Sequence, residues 1–306
     1  MKKSLNEISS SFLIKDDFSF WKEILYTHLT YEPLPLIVNK NHIISAAAMW
    51  AYVKIWKEHF REKGAKSGDT ILLALSESPE WIMILLASFW ENLRVILCDP
   101  KQVSIDTIPE VWGIFSEDKN ITNWTFSEQL TPICLREPNQ LYKNESIKER
   151  ICFHSYSSSA KILDKNKTEK KINQSLSDKQ FAEFISKVKI ENKPKGVLSS
   201  LPWFSPIGFY FDFFLNYFSK KEIFLTQKFQ NPNIEYTELF NAFSIDKIIT
   251  TTQQSPMINQ CALISTKSHS EIEIICFEER ELNDISLLFM DSNFSFSEKR
   301  NSISNQ

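Results

Sequence analysis

Glycine is scarce in this sequence, which has 5 glycines among 306 residues. Average usage of about 7% would give roughly 21. Glycine allows the positive φ angles and the close backbone approach that a loop needs to point several N–H groups at one phosphate. The scarcity therefore argues against a glycine-rich phosphate-binding loop of the usual kind.

The sequence also lacks the residue spacing of a zinc site. Its 5 cysteines are scattered, its 5 histidines are dispersed, and no two cysteines have C-x-x-C spacing. We interpret the cysteines as buried free thiols of a protein in a reducing compartment.

Long apolar runs are missing as well. No run approaches the ~20 residues of a membrane span, and residues 1–7 are followed by polar residues where a signal peptide would have an apolar core. The net charge of −3 and the pI near 6.0 disfavour a nucleic-acid partner. We therefore expect a cytoplasmic protein without a membrane span.

The clearest local pattern is a strand followed by a helix and a second strand. Residues 70–75 and 94–98 are continuous apolar runs typical of buried strands. Between them, Ser78 and Pro79 suit the start of a helix that continues over 81–90. This order and spacing predict a parallel βαβ unit with a right-handed crossover.

A hydroxyl-rich stretch follows the next predicted strand. After a charged linker at 145–150, residues 151–153 form a short apolar run and 154–159 carry the hydroxyl groups. A lysine-rich insertion then continues to Lys171, before a helix predicted over 178–187. A strand, a hydroxyl loop with lysines and a helix is the order of a phosphate-binding loop. A polar surface loop is the alternative interpretation.

Strands and helices alternate again in the second half of the chain, which predicts a layered α/β fold with mostly parallel sheets flanked by helices. The predicted strands cover 196–201, 222–226, 247–251 and 273–277, and further helices are predicted over 18–29, 43–63, 207–218 and 236–243. We divide the chain into a lead-in with a short helix (1–40), a first α/β subdomain (41–150), a second α/β subdomain (151–290) and a polar, disordered tail (291–306).

Three landmarks stand in a recognisable order: Gly68-Asp69 precedes a strand, Ser78-Pro79 begins a helix, and Asp99-Pro100 ends the next strand. This order resembles the large N-terminal domain of the adenylate-forming superfamily, the AMP-binding ligases that include acyl-CoA synthetases and luciferases. In pattern the chain is similar to stand-alone aryl-polyene-type ligases, which hand an acyl or aryl acid to a carrier protein.

The resemblance implies a place for each part of an ATP site. The hydroxyl-rich stretch stands where the family has its glycine-rich phosphate loop, but the glycines are absent. Lys171 stands at the family lysine, and Glu279 is the best match to the glutamate that helps to bind magnesium. The residues that would contact phosphate are Ser155, Ser157, Ser158 and Lys171.

The resemblance also implies an acid-binding tunnel beside the aromatic helix predicted over 207–218. Trp203 or Phe204 stands where the family often has a histidine, and Gly208 matches a family glycine. With Phe209, these residues form the candidate acid pocket. An ordinary aromatic core is the alternative interpretation.

The departures from the family favour a pseudoenzyme that keeps the fold without the activity. The loop glycines are missing, and the sequence ends before the family's ribose-binding aspartate and its small C-terminal domain. The hypothesis is a binding or scaffold partner in acyl- or aryl-acid biosynthesis that needs no cofactor. Its lysines between 161 and 171 would form a mobile exposed loop or, in the alternative, a docking patch for an acyl carrier protein or a biosynthetic partner enzyme.

Two alternatives stay open. One is a divergent but active ligase that uses ATP and magnesium to join an acid to CoA or a carrier protein, completed by a second polypeptide. The other is an unrelated α/β binding protein.

Overall fold

The computed structural model describes residues 35–38, 43–101, 111–117, 150–155, 172–181, 196–218, 222–226, 229–265, 272–288 and 300–303. These residues fall into two compact units. The first unit contains the described residues of Ser45–Lys189, and the second contains those of Leu34–Ile44 and Ile190–Gln306.

The strands in chain order are β1 (Pro35–Val38), β2 (Ile43–Ser45), β3 (Thr70–Ala74), β4 (Arg94–Cys98), β5 (Gly113–Ser116), β6 (Ile151–Ser155), β7 (Ile172–Leu176), β8 (Val197–Ser199), β9 (Ile223–Phe224), β10 (Lys247–Thr251), β11 (Ile272–Phe277) and β12 (Arg300–Ile303). The helices are α1 (Ala46–Glu62), α2 (Pro79–Trp90), α3 (the consecutive segments Pro206–Gly208, Phe209–Phe214 and Leu215–Phe218), α4 (Pro232–Ala242) and α5 (Ser255–Ile264). Short 3₁₀ turns cover Glu281–Asn283 and Ile285–Leu288.

The first unit contains a five-stranded sheet in the order β5-β3-β4-β6-β7. The first four strands are parallel, and β7 is antiparallel to β6. The predicted βαβ unit is confirmed as β3, α2 and β4, because Thr70–Ala74 pairs in parallel with Arg94–Cys98. Continuous apolar sequence suits these strands, since helices cover parallel sheets on both faces.

Local sequence explains where the helices of the first unit begin. The Ser78 hydroxyl accepts a hydrogen bond from the Trp81 N–H (3.1 Å) and Pro79 occupies the first turn of α2, as predicted. The Ser45 hydroxyl accepts from the Ala48 N–H (3.2 Å) in the same way at α1. The helix predicted from residue 43 therefore begins later, because residues 43–45 form β2.

The sequence predicted a boundary between two subdomains at residue 150, but the structure does not divide there. Strand β6 pairs with β4 (Val95 opposite Ile151) and β7 pairs with β6, so both belong to the first sheet. The boundary falls between Lys189 and Ile190. The hydrogen bonds of β6 explain the difference, since a strand that completes a sheet cannot also begin a separate domain.

The prediction of a charged linker over 145–150 is wrong at Arg150, because the side chain of this residue is fully buried. Its Nε and one terminal nitrogen donate to the two carboxylate oxygens of Asp178 (2.7 and 2.9 Å). The guanidinium also donates to Asn92 Oδ1 (2.7 Å) and to the Leu93 carbonyl (2.9 Å). The residue is therefore a paired internal charge that connects three separate segments of the chain.

The second unit contains a four-stranded sheet in the order β12-β11-β10-β8 and a three-stranded sheet in the order β2-β1-β9. Strands β8, β10 and β11 are parallel, β12 is antiparallel to β11, and β1 is parallel to β9. The predicted disordered tail is therefore wrong at residues 300–303, which form β12. The predicted fold class, layered α/β with mostly parallel sheets, is confirmed.

The four-stranded sheet packs against helices on both faces. Alternate residues of each strand point to opposite faces of the sheet, so β8, β10 and β11 contribute to both contacts. On one face, Leu198, Ile248 and Ile274 pack with residues of α4 and α5. On the other face, Val197 and Ile249 pack with Ile207 of α3. No helix in the described part of the chain is long and apolar enough to cross a membrane.

Candidate functional site

The predicted phosphate loop lies between two antiparallel strands. Strand β6 ends at Ser155, β7 begins at Ile172, and these two residues are directly paired in the ladder. Ile172 follows Lys171 in the sequence, so the two ends of the predicted loop are brought together. The predicted order of strand, loop and helix is corrected to strand, loop, strand. Ser157, Ser158 and Lys171 lie outside the described residues, as does the side chain of Ser155.

The mouth of this hairpin lies at the carboxyl edge of the parallel strands. Because β3, β4 and β6 run in the same direction, Ser155 and Cys98 end at the same edge of the sheet. Crevices outside the carboxyl ends of parallel strands are the usual ligand sites of α/β folds. Burial, with a further contribution from Asp99, raises the pKa of the Cys98 thiol to about 12, so this thiol stays protonated.

Glu279, the predicted magnesium ligand, is exposed in the turn after β11. Its neighbours Glu278 and Arg280 form an exposed ion pair (2.6 Å). No group of three or more histidine, cysteine, aspartate or glutamate side chains that would hold a metal occurs within the described ranges. Within the described residues, Glu279 therefore does not belong to a cluster of three or more possible metal ligands.

The four residues of the predicted acid pocket lie together around the start of α3. Trp203 and Phe209 are each 1% exposed, and both rings contact Phe213, with centroid distances of 5.8 and 5.6 Å. Phe204 is half-buried and Gly208 is buried. The structure thus shows an aromatic cluster here, and the role of these residues in binding an acid stays a prediction.

A tight turn fixes the start of α3. The Ser205 hydroxyl donates to the Pro202 carbonyl (2.8 Å) and accepts from the Gly208 N–H (3.1 Å). A Cβ atom at Gly208 would lie far inside the van der Waals distance of the Pro202 carbonyl oxygen. Glycine at this position is therefore required for the close approach of the helix to the turn.

The middle of α3 is a π-helical segment, Phe209–Phe214. The Leu215 N–H donates to the Tyr210 carbonyl, five residues earlier, instead of four. Single π-helical turns inside α-helices occur frequently at functional sites. This segment therefore marks the aromatic cluster as a candidate ligand site.

Asp212 is the residue of this segment that the sequence reasoning missed. Its side chain is fully buried, and neither carboxyl oxygen accepts a hydrogen bond of normal geometry from a described residue. Burial raises the pKa of the carboxyl group well above its ordinary value, and the donors Trp203 and Ser199 only partly oppose that effect. The sequence did contain a signal that could have identified this residue, because Asp212 is the single acid in Phe209–Phe214 and every other residue of that segment is aromatic.

A neutral hydrogen-bonded network lies at the carboxyl ends of β8 and β10. The Ser200 hydroxyl donates to Gln254 Oε1 (2.9 Å) and lies 2.8 Å from Thr250 Oγ1. Ser200 and Thr250 are buried, whereas Gln254 is half-buried. The network was also missed, because Ser200 lies 50 and 54 residues before Thr250 and Gln254 in the sequence and joins them only once the strands pair.

The fold of this chain, with its mostly parallel sheets flanked by helices, is similar to the N-terminal fold of adenylate-forming ligases. The resemblance predicted from the order of landmarks is thereby confirmed at the level of the fold. No protein-family model matches the sequence, and no curated protein does.

Three solved structures illustrate the similarity. O-succinylbenzoate coenzyme A synthetase (MenE) from Bacillus subtilis, in complex with AMP, is 15% identical with a TM-score of 0.58 over 78% of this chain and 63% of that chain. Apo MatB from Rhodopseudomonas palustris is 14% identical with a TM-score of 0.56 over 79% and 51%. The N-terminal subdomain of Klebsiella oxytoca NpsA is 10% identical with a TM-score of 0.53 over 85% and 72%. This chain therefore spans about half to two thirds of the length of the two full ligases.

Proposed function

We propose that this chain is a degenerate adenylate-forming domain that binds an acyl or aryl acid, or a partner that carries one, without activating it. The observation that supports the proposal is the sequence between the paired strands β6 and β7. Residues 154–171 contain no glycine and no proline, although they occupy the place of the predicted phosphate loop. The fold is retained, but the glycines and the proline of the phosphate loop are not.

The chemistry explains why this difference matters. Adenylation requires the phosphate charges to be held by positioned donors while a carboxylate attacks the α-phosphate in line. Each 1.36 kcal/mol of lost transition-state stabilisation lowers the rate tenfold. A loop without the glycines that let backbone N–H groups converge gives little of that stabilisation.

In this proposal, the aromatic cluster around α3 is the part of the ligase fold that still binds an acid. Trp203, Phe209 and Phe213 form a buried apolar cluster, against which an acyl or aryl group would pack. The lysines between residues 161 and 171 would attract an acidic acyl carrier protein or a biosynthetic partner enzyme. Such a protein would act as a scaffold beside enzymes that make or use the acid.

The test is a calorimetric titration of the purified chain with MgATP, at concentrations that detect a millimolar dissociation constant. We expect no saturable heat. Saturable binding that weakens in Lys171→Ala, but not in the control Lys179→Ala, would overturn the inactive assignment. Lys179 is a suitable control because it is exposed and lies after β7, outside the loop.

One observation favours the active alternative. Ser155 is paired with Ile172, the residue that follows Lys171 in the sequence, and this favours a phosphate site to which the predicted serines and Lys171 would both contribute. In that alternative Glu279 would contribute to magnesium binding, and a second polypeptide would complete the site. Exchange of radioactive pyrophosphate into ATP, measured with a panel of acyl and aryl acids, would detect this activity directly.

A further inference from the structure

Four residues of α1 form a stripe along one side of that helix. Trp50, Lys54, Lys57 and Arg61 are separated by four, three and four positions, which is the spacing that puts side chains on one face of an α-helix. The stripe lies against the end of α2, where the rings of Trp50 and Trp90 contact each other with a centroid distance of 4.7 Å. We call Trp50, Lys54 and Trp90 the tryptophan–lysine patch.

Each indole ring of the patch has an ammonium group over it. Lys54 Nζ lies 4.7 Å from the centroid of the Trp50 ring, and Lys57 Nζ lies 5.3 Å from that of the Trp90 ring. An indole attracts a cation at such a distance, because the face of the ring is negative. Trp50 and Trp90 are half-buried, so part of each residue is accessible to a partner.

The two lysines differ in their other contacts. Lys57 is buried and pairs with Glu58 (3.4 Å), and Arg61 pairs with Glu58 (3.4 Å) and with Glu91 (2.9 Å). Burial lowers the pKa of the Lys57 ammonium, and Arg61 adds to that effect. Lys54 is only half-buried, and no carboxylate of the described residues forms an ion pair with it. Lys54 is therefore the cation of the stripe to which an external acid has access.

This combination indicates the chemistry of a partner. Tryptophan is enriched among the residues that contribute most of the binding energy at protein interfaces, and a cation without its own anion favours an acidic group across the contact. The stripe extends over about three turns of α1, so a helix that packs along α1 would contact it over its whole length. A helix with carboxylates beside apolar side chains fits both features.

A membrane surface fits the patch less well. Anionic lipids are recognised by clusters of about 4–8 basic residues, whereas two of the three cations in the stripe are already paired with Glu58 and Glu91. These two carboxylates would also repel a surface of continuous negative charge. We propose that Trp50, Lys54 and Trp90 form a docking site for an acidic amphipathic helix of a partner protein.

This docking site goes beyond the proposed function, because it belongs to α1 and α2. It uses neither the residues between β6 and β7 nor the aromatic cluster around α3. Either proposal can therefore fail while the other holds. MgATP is absent from the experiment below, so its outcome does not depend on the nucleotide test.

The experiment measures the binding of a labelled synthetic helix to the whole chain by fluorescence anisotropy. The first probe is built from leucine and glutamate with the leucines on one face, and the matched probe has glutamine in place of every glutamate. We expect the glutamate helix to bind saturably and the glutamine helix to bind about fivefold more weakly. No saturable binding of the glutamate helix up to millimolar concentration would overturn the proposal.

The variant that tests the cation is Lys54→Glu, and Lys63→Glu is its control. Lys63 is an exposed residue at the end of α1, outside the stripe, and the two variants change the net charge equally. We expect Lys54→Glu to weaken binding of the glutamate helix by about tenfold or more, and Lys63→Glu to weaken it by less than about twofold, because salt screens distant charges. Equal weakening would reduce the effect to net charge and would contradict a docking site at Lys54.

Two further measurements use the unmodified chain, so they hold even if a variant does not fold. A third probe with lysine in place of glutamate should bind no better than the glutamine helix, and binding as tight as that of the glutamate helix would exclude recognition of an acid. Sedimentation with vesicles that contain phosphatidylserine tests the membrane directly. Binding to these vesicles without binding of the glutamate helix would replace the proposed partner by a lipid surface.

Discussion

Arg150 in the first unit and Asp212 in the second are both fully buried ionisable residues, but their surroundings differ. Arg150 has a bidentate ion pair with Asp178 and two further acceptors, Asn92 and the Leu93 carbonyl. Ser199 and Trp203 act as donors to the Asp212 carboxyl group, but neither carboxyl oxygen accepts a hydrogen bond of normal geometry from a described residue.

We therefore interpret Arg150 as a structural charge and Asp212 as a candidate functional acid. A buried charge with complete partners holds segments together, and breaking it is costly because the remaining partner is left alone. A buried acid without a cationic partner has a raised pKa, because burial penalises the charged carboxylate. The two residues therefore predict different responses to substitution and to pH.

The largest expected effect is that of Arg150→Met. The change leaves the Asp178 carboxylate, whose side chain is 12% exposed, without its cation, and it leaves two acceptors unpaired. We expect the free energy of unfolding to fall by about 3–5 kcal/mol, as measured by urea denaturation.

The matched control is Arg280→Met, since Arg280 also pairs with a carboxylate but its side chain is 82% exposed. Its effect should stay within about 0.5 kcal/mol. If Arg150→Met cost no more than this control, the description of Arg150 as a structural charge would be wrong.

The second prediction concerns the pH dependence caused by Asp212. Its pKa is raised in the folded chain, whereas in the unfolded chain the carboxyl group ionises near its ordinary value of about 3.9. The stability from this group is therefore complete below that value and decreases as pH rises towards the folded-state pKa, by at most about 1.4 kcal/mol per pH unit. Asp212→Asn should remove this slope.

Urea midpoints of the two proteins at several pH values between about 5 and 8 would measure the slope. Glu279→Gln, which removes an exposed acid, serves as the control and should leave the slope unchanged. A slope that persists in Asp212→Asn would show that another group is responsible and would weaken the comparison with Arg150.

The smallest expected effect belongs to the neutral network of the second unit. Ser200→Ala removes the hydroxyl that joins Thr250 to Gln254, and we expect a loss of about 1 kcal/mol. Ser286→Ala removes an exposed hydroxyl that donates to Asp284 (2.6 Å) and should change stability by less than half as much. If Ser200→Ala and Ser286→Ala lowered the free energy of unfolding equally in thermal or urea denaturation, burial of the network would add nothing to stability.

The sequence was sufficient for features that depend on neighbouring residues. The apolar runs of β3 and β4 and the Ser78 cap identified the βαβ unit because strand burial and helix capping act locally. The order of such units then indicated the fold. The helix predicted over 18–29 lies outside the described residues and stays a prediction.

Features that depend on distant residues could not be predicted in this way. Arg150 looked like a linker charge because its partners Asn92 and Asp178 lie 58 and 28 positions away. The domain boundary was misplaced for the same reason, since only the pairing of β6 with β4 shows which sheet it completes. The burial of Asp212 could be recognised only when the packing of α3 on the sheet was known.

The antiparallel pairing of β6 and β7 has a consequence for how this protein can change over evolutionary time. Because Ser155 and Ile172 are fixed opposite each other in the ladder, the connection between them can lengthen or shorten without moving the sheet. In general, doubling the length of a loop between two fixed ends costs only about 0.6 kcal/mol. We therefore expect insertions between β6 and β7 to change the stability of the first unit little.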